Sequence, residues 1–147
     1  MKKNILFISI LFALFSGLSA GEGWITDFKK AKELAKKENK PIFANFTGSD
    51  WCGTCVFMEK NVFSKKSFLD YAKEKFVLFM ADYPRETAQD PVLAKQNEAL
   101  AAQYRVRGFP TLLVLNAKGD PLAQSEYFVA DPEDYIRHLN SFFTMNK

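Results

Sequence analysis

The sequence predicts an α/β domain in which helices cover both faces of a mixed sheet of four or five strands. Short apolar runs at residues 41–46, 76–82 and 111–115 have the composition of strands that are buried on both sides. Segments with apolar residues at helical spacing separate these runs. The chain has 147 residues, 48% of them hydrophobic, which is sufficient for one packed domain and too few for two ordinary domains.

The N-terminal segment differs in composition from the rest of the chain. Two lysines precede an apolar run at residues 5–15, and small and polar residues follow it. This is the pattern of a secretory signal peptide. The run is shorter than the roughly 20 residues that a membrane-spanning helix requires, although an uncleaved anchor stays open as an alternative. We therefore predict a signal peptide at residues 1–20 and a folded, exported domain at residues 21–147.

The first elements of the domain are a helix, a strand and a second helix. Residues 24–39 place apolar side chains at helical spacing between lysines and glutamates, and Thr26 or Asp27 can cap the start. Residues 41–46 follow as the expected central strand. After a turn, the next helix is expected to begin near Cys52.

The middle of the chain predicts a parallel strand with a helix on either side. Residues 64–75 form a helical pattern that Ser64 can cap, and residues 76–82 read as a buried strand. A strand, helix and strand in this order imply a parallel pair with a crossover. Residues 92–104 are rich in helix-forming residues and predict a further helix.

The last third of the chain predicts two antiparallel strands and a closing helix. Residues 111–115 are apolar, a turn follows, and residues 122–129 can return as the antiparallel partner. Residues 132–143 carry large apolar side chains on one side of a helix. In this arrangement the cysteines lie at the carboxyl end of the central strand, where sites form in open α/β sheets.

The two cysteines, Cys52 and Cys55, are the candidate catalytic residues. Three apart on a first helical turn, they face the same way and can be bridged or free with little backbone movement. Cys52 is the expected nucleophile, because unpaired amides and the helix dipole favour its thiolate. Cys55, one turn further in, is the expected resolving thiol. A purely structural bridge is disfavoured, since so small a loop removes little entropy from the unfolded chain.

Metal and nucleic-acid binding are alternatives to redox chemistry. Two cysteines at this spacing are half of a zinc site, but the sole histidine, His138, lies in the last helix. We therefore predict no metal site and no cofactor, and binding of Cu(I) by the two thiolates is the form of metal binding that stays open. Without Lys2 and Lys3, the 20 basic residues become 18 against 17 acidic ones, which gives no electrostatic case for nucleic acid.

Two motifs give the chain a family resemblance. Residues 50–55 read Asp-Trp-Cys-Gly-Thr-Cys, and residues 106–111 read Val-Arg-Gly-Phe-Pro-Thr. Together and in this order they resemble the thioredoxin superfamily over residues 24–143. Because Ser-Asp-Trp-Cys at residues 49–52 is followed by Asn-Val-Phe-Ser at residues 61–64, the chain is similar to exported disulfide reductases of the DsbH type and to the C-terminal domain of DsbD.

The resemblance implies a thioredoxin fold and a set of substrate contacts. Pro110 would be a cis proline facing the cysteine pair, and the backbone of Phe109 would offer strand-like hydrogen bonds to an extended substrate. Trp51 would shelter the pair and touch the substrate, with Gly53 and Thr54 beside it. A trans Pro110 that simply starts the next strand, and a Trp51 that only packs, are the alternative interpretations.

Two departures from the thioredoxin pattern bear on the chemistry. Asn45 stands where thioredoxins place a buried Asp, and an amide cannot take a proton from Cys55. Water, Asp50 or Glu59 would then assist the second step, or that step is slower. Gly-Thr between the cysteines replaces Gly-Pro, and these residues tune thiolate stability and redox direction.

The resemblance implies a periplasmic reductase of protein disulfides. Protein thiols and disulfides would be its substrates, a membrane-bound thiol protein would supply electrons, and the chain is expected to be a monomer. Two alternatives stay open: a disulfide-forming oxidase of the same fold, and a thioredoxin-like module that binds copper or a partner without turnover.

Overall fold

The computed structural model describes residues 21, 23–126 and 128–144, so the signal peptide expected at residues 1–20 lies outside the described residues. The elements follow in the order α1 (Phe28–Glu38), β1 (Ile42–Thr47), α2 (Gly53–Met58), α3 (Lys66–Lys75), β2 (Val77–Asp82), α4 (Pro91–Gln103), β3 (Thr111–Leu115), β4 (Pro121–Ser125) and α5 (Pro132–Thr144). A π-helical stretch, Glu59–Phe63, continues α2 without a break in helical backbone geometry. None of the helices described is long and apolar enough to cross a membrane.

The sheet is mixed and has the strand order β2-β1-β3-β4. β1 pairs in parallel with β2 and antiparallel with β3, and β3 pairs antiparallel with β4. All six residues of β1 are buried, as the apolar run predicts for a central strand. Four strands with helices on both faces confirm the predicted fold class. β1 also points its carboxyl end at the turn that leads into α2.

Two hydrophobic clusters cover the two faces of the sheet. Residues of β1 alternate between them: Ile42, Ala44 and Phe46 pack with α1 and α4, and Phe43 packs with α2, α3 and α5. Phe43 has no exposed surface and contacts five aromatic rings, with ring centroids 5.8–6.3 Å away. Those five rings belong to Trp24, Phe63, Phe68, Phe76 and Tyr135. The face that carries α2 therefore rests on a dense aromatic core.

One expected helix cap is confirmed and another is not. α1 begins at Phe28, because the Asp27 carboxylate, one of the two expected caps, accepts the Lys30 amide there. Ser64 was expected to cap α3, and this is wrong. Its hydroxyl donates to the Glu59 carbonyl, 2.7 Å away, and closes the π-helical stretch instead. α3 then starts at Lys66 without a side-chain cap.

The strand expected at residues 122–129 is shorter and earlier than its pattern suggests. β4 ends at Ser125, where it pairs with Leu112. Ser125 is buried, its hydroxyl lies 3.0 Å from the His138 imidazole, and it accepts the Tyr135 hydroxyl at 3.2 Å. These contacts with α5 fix the end of β4. His138 is thus a half-buried packing residue, and burial lowers its pKa.

Replacing Phe43 tests the aromatic core. We expect Phe43→Ala to lower the free energy of unfolding by about 3–5 kcal/mol, because it leaves a cavity between five rings. Val92→Ala is the control: this side chain is 76% exposed on α4, and its loss should change stability by about 0.5 kcal/mol at most. Urea unfolding followed by circular dichroism measures both. A loss for Phe43→Ala as small as the control's would contradict this packing.

Candidate active site

Cys52 and Cys55 form a disulfide at the start of α2, with their Cα atoms 5.2 Å apart. Cys52 is the N-cap of α2: its backbone is extended, and its sulfur accepts the Cys55 amide at 3.3 Å. Both side chains are buried, 7% exposed for Cys52 and 3% for Cys55. The helix start predicted near Cys52 is confirmed, and the amide that reaches its sulfur would also stabilise a thiolate there.

Asn45 lies in β1 on the face of the sheet that α2 covers, since it alternates with the residues of the opposite cluster. It is 3% exposed, and its Oδ1 has no hydrogen-bond partner among the described residues. A buried amide oxygen without a partner is uncommon and costs about 1–3 kcal/mol. Asn45 therefore places a neutral group without a hydrogen-bond partner in the described part of the chain where the resemblance to thioredoxins implies a buried carboxylate.

Glu59 follows Cys55 by one helical turn, and its amide donates to the Cys55 carbonyl. Its Oε2 is buried and also has no partner among the described residues. Burial raises the pKa of this carboxyl group. Glu59 is thus a buried carboxyl group on the helix that carries both cysteines, with an oxygen free to accept a proton.

Asp50 has a different role from the proton acceptor considered from the sequence. Its carboxylate accepts the backbone amides of Arg85, Glu86 and Thr87 at 2.9–3.0 Å, and the Thr87 hydroxyl at 3.1 Å. These hydrogen bonds, that from the Arg85 amide above all, lower its pKa. A carboxylate held as the anion in this way is a poor base. Asp50 instead anchors the loop at residues 83–90 to the turn before Cys52.

Two further contacts join the same loop and turn. The Asp82 carboxylate accepts the amide and the hydroxyl of Ser49 at 2.9 and 2.6 Å. The Trp51 indole N–H donates to the Tyr83 carbonyl at 2.8 Å. Hydrogen bonds with a segment distant in sequence therefore hold the turn that precedes Cys52. This arrangement fixes the position of the turn relative to the end of β2.

Trp51 is half-buried between three neighbours. Its ring packs against Gly48, where a Cβ atom would stand only 2.5 Å from the indole. The Phe109 ring meets it nearly perpendicular, with centroids 5.7 Å apart. The Arg85 guanidinium carbon lies 3.5 Å from the centre of the indole ring, a cation–π contact. Trp51 thus links the turn, the loop and the segment before Pro110.

The peptide bond between Phe109 and Pro110 is cis. The Phe109 ring packs inward against Trp51 and Tyr83, with the Tyr83 centroid 4.9 Å away. These contacts leave the Phe109 side chain half-buried. Beside this segment runs a groove of about 660 Å³, lined by Thr54, Pro110 and residues from the end of β4.

The structure connects several of the sequence-predicted site residues near the start of α2. The Trp51 and Phe109 rings are in contact, Thr54, Phe109 and Pro110 line the groove, and Gly53 is exposed at the helix start with open space above its Cα. Arg85 was missed. No basic residue lies within a few positions of the pair in sequence, and contacts between distant segments, the Asp50 anchor among them, place Arg85 over Trp51.

Metal ligands do not converge on the cysteines in the part of the chain that the structure describes. Within residues 21, 23–126 and 128–144, no three histidine, cysteine, aspartate or glutamate side chains come close enough to hold an ion. Asp50 and Asp82 are hydrogen-bonded to backbone and hydroxyl groups of the loop and turn.

The chain matches a known protein family over most of its length. The family of the thioredoxin-like domain matches residues 28–142, most of the chain. The protein therefore belongs to the thioredoxin-like family, as the fold and the buried cysteine pair indicate.

Individual relatives within this family are enzymes of thiol-disulfide exchange. The chain is 32% identical to the disulfide bond reductase DsbH of Chlamydia pneumoniae over 114 residues, 78% of this chain and 69% of that protein. It is 34% identical over 101 residues to the thiol:disulfide interchange protein DsbD of Vibrio vulnificus, but spans only 16% of its length. A solved DsbH oxidoreductase superimposes with a TM-score of 0.78 and 27% identity, over 98% of this chain and 95% of that one. The protein is thus a thiol-disulfide oxidoreductase of the DsbH and DsbD type.

Substitution of Gly48 tests the packing of Trp51. Gly48→Ala places a methyl group within 2.5–2.9 Å of the indole, so Trp51 must move. We expect a loss of about 1–3 kcal/mol in unfolding free energy and a changed tryptophan emission spectrum. Gly53→Ala is the matched control, because nothing lies within 4 Å of its added methyl group. Equal effects of the two substitutions would contradict the contact between Gly48 and Trp51.

Proposed function

We propose that this protein is a reductase of protein disulfides that works outside the cytosol through Cys52 and Cys55. The observation that carries the proposal is the placement of the pair. Cys52 caps α2, receives an amide hydrogen bond, and lies beside a groove that can admit a polypeptide. The name of the DsbH relative, a disulfide bond reductase, supports the same direction of electron flow.

The cycle begins with the reduced pair. The Cys52 thiolate attacks one sulfur of a substrate disulfide, that bond breaks, and a mixed disulfide forms while the first substrate thiolate leaves. Cys55 loses its proton and attacks the Cys52 sulfur, which releases the second substrate thiolate. Two electrons have then passed to the substrate, and the Cys52–Cys55 disulfide of this structure remains. A dithiol donor returns the pair to the reduced form by the same exchange.

Glu59 is the group that we assign to the proton of Cys55. It lies one turn beyond Cys55 on the same helix, and its buried Oε2 has no partner among the described residues. Burial raises its pKa toward the pH at which a general base works best. Asn45 offers no such base, and Asp50 is held as an anion by the loop amides.

Substrate contacts are assigned to the residues around the groove. Trp51, Gly53 and Thr54 adjoin the cysteines in sequence, Thr54, Phe109 and Pro110 line the groove, and the Phe109 ring contacts Trp51. The composition of residues 1–20 supports export to the periplasm. There a membrane-bound thiol protein would be the electron donor, and the similarity to a thiol:disulfide interchange protein supports exchange with the thiols of a partner protein.

A disulfide-forming oxidase is the second candidate, and one observation favours it. The Arg85 guanidinium over Trp51 adds a positive charge beside Cys52, and positive charge stabilises a thiolate and with it the reduced form. A strongly stabilised thiolate makes the disulfide oxidising.

The equilibrium reduction potential of the pair separates these directions. For a reductase we expect a value near that of thioredoxin, about −270 mV, measured in a glutathione series with the mature protein. An oxidising value near −120 mV would overturn the reductase assignment. Turnover of a disulfide substrate, measured alongside, separates either enzyme from a module that binds copper or a partner.

Single cysteine substitutions test the two roles. Cys55→Ser should accumulate a mixed disulfide with a substrate peptide, because the resolving attack is lost. Cys52→Ser should form almost none, since Cys55 is 3% exposed. Mass spectrometry of the acid-quenched reaction measures both adducts. Equal trapping by the two variants would contradict the assignment of Cys52 as the nucleophile.

Glu59→Gln tests the proton acceptor. We expect the resolving step to slow about tenfold or more near neutral pH, and the pH profile of that step to lose its Glu59 inflection. Stability should not fall. The pKa of Glu59 is higher in the folded protein than in the unfolded chain, so the free energy of unfolding decreases as the pH rises from the unfolded-state pKa to the folded-state pKa. The neutral amide of the Glu59→Gln variant does not titrate and therefore removes this decrease. Exposed Glu33→Gln on α1 is the control, and an unchanged pH profile in Glu59→Gln would contradict the role.

A further inference from the structure

The groove beside the cysteine pair has an uneven distribution of charge. Arg105 and Arg107 line it together with Phe109 and Pro110, and both arginines are exposed. Glu126 also lines the groove, and its carboxylate accepts the Gln124 side-chain amide at 3.4 Å. The lining that includes Thr54 therefore carries two cations and one anion.

Arg85 extends this positive region to the other side of Trp51. Its guanidinium lies over the Trp51 indole, and the indole contacts the Phe109 ring. Phe109 is two residues after Arg107 in the chain. Two separate loops, residues 83–90 and 104–110, thus contribute cations to the surface formed by Trp51 and the groove. We call Arg85, Arg105 and Arg107 the arginine rim.

The arginine rim is not neutralised by the rest of the described chain. None of the three guanidinium groups takes part in an ion pair with a described residue. The two acidic residues nearest to the turn, Asp50 and Asp82, are hydrogen-bonded to the loop amides and to Ser49. The rim cations are therefore available to a ligand, and guanidinium groups match carboxylates with two parallel hydrogen bonds.

The backbone beside the rim can also receive a chain. Residues 107–109 make no backbone–backbone hydrogen bond within the described part of the protein, although they run directly into β3. The Gly108 carbonyl accepts the Thr111 hydroxyl at 2.8 Å. Backbone groups beside a strand that are not paired with another strand are the feature that binds an extended peptide. Phe128, 42% exposed, adds an apolar contact in the same groove.

We propose that the arginine rim selects extended polypeptide segments that carry aspartate or glutamate close to the disulfide to be reduced. The proposal deepens and rests on the proposed function, because Thr54, which lies between the two cysteines in sequence, lines the groove, and a substrate bound there would have to bring a sulfur atom to Cys52. Exposed charges at a rim act mainly on the rate of encounter, so the selectivity acts on association and weakens with salt.

Peptide oxidants of matched length test the selectivity. Each contains one disulfide, flanked by aspartates, by serines or by lysines. The reduced mature protein is mixed with each peptide in a stopped-flow instrument. The second-order rate constant is obtained from the change in tryptophan fluorescence with time. At about 50 mM salt we expect the acidic peptide to react about tenfold faster than the lysine peptide. At about 500 mM salt the ratio should approach one, because the Debye length falls below 5 Å.

Substitution of the rim assigns the effect to its residues. Arg105→Gln together with Arg107→Gln should reduce the ratio of the acidic to the serine peptide severalfold, and adding Arg85→Gln should reduce it further. Arg137→Gln, on the exposed surface of α5, is the matched charge control and should leave every rate as in the parent protein.

Three results would count against the proposal. Equal rates for the three peptides in the parent protein would overturn the selectivity and leave the reductase assignment standing. An acidic preference that survives the triple substitution would overturn the assignment to these arginines. A reduced protein that reacts with none of the peptides would overturn the proposed function, and this inference with it.

Discussion

β1 is buried along its whole length, and both hydrophobic clusters are built on it. A strand that packs on two faces cannot slip by one residue without exchanging its clusters, so its register is strongly fixed. The chain leaves this strand at Gly48 and enters α2 five residues later. The position of Cys52 and Cys55 therefore depends on the sheet, while the loops around them determine what can approach.

Two carboxyl groups near the pair show how environment separates similar residues. Asp50 accepts hydrogen bonds from three backbone amides, which stabilise its anion and lower its pKa. Glu59 is buried with an oxygen that has no partner among the described residues, and its pKa is raised. One group is thereby suited to holding a loop and the other to exchanging a proton.

Much of this arrangement could be predicted from local sequence. Apolar runs marked the strands, and the spacing of Cys52 and Cys55 marked the redox pair, because both depend on neighbours along the chain. The π-helical stretch at Glu59–Phe63 could not be predicted, since Ser64 has the same composition signal as a helix cap. Arg85 could not be placed either, because its position depends on hydrogen bonds between segments that only the folded sheet brings together.

The Asp50 anchor holds the loop through three main-chain amides and one side chain, the Thr87 hydroxyl. An amide is present whatever side chain the residue carries, proline excepted. The side chain at position 85 can therefore be exchanged by mutation while the loop keeps its place over Trp51. Separating the scaffold of a site from its variable contacts lets recognition drift in evolution without loss of the catalytic centre, and it makes this loop a suitable position for engineering new partner preferences.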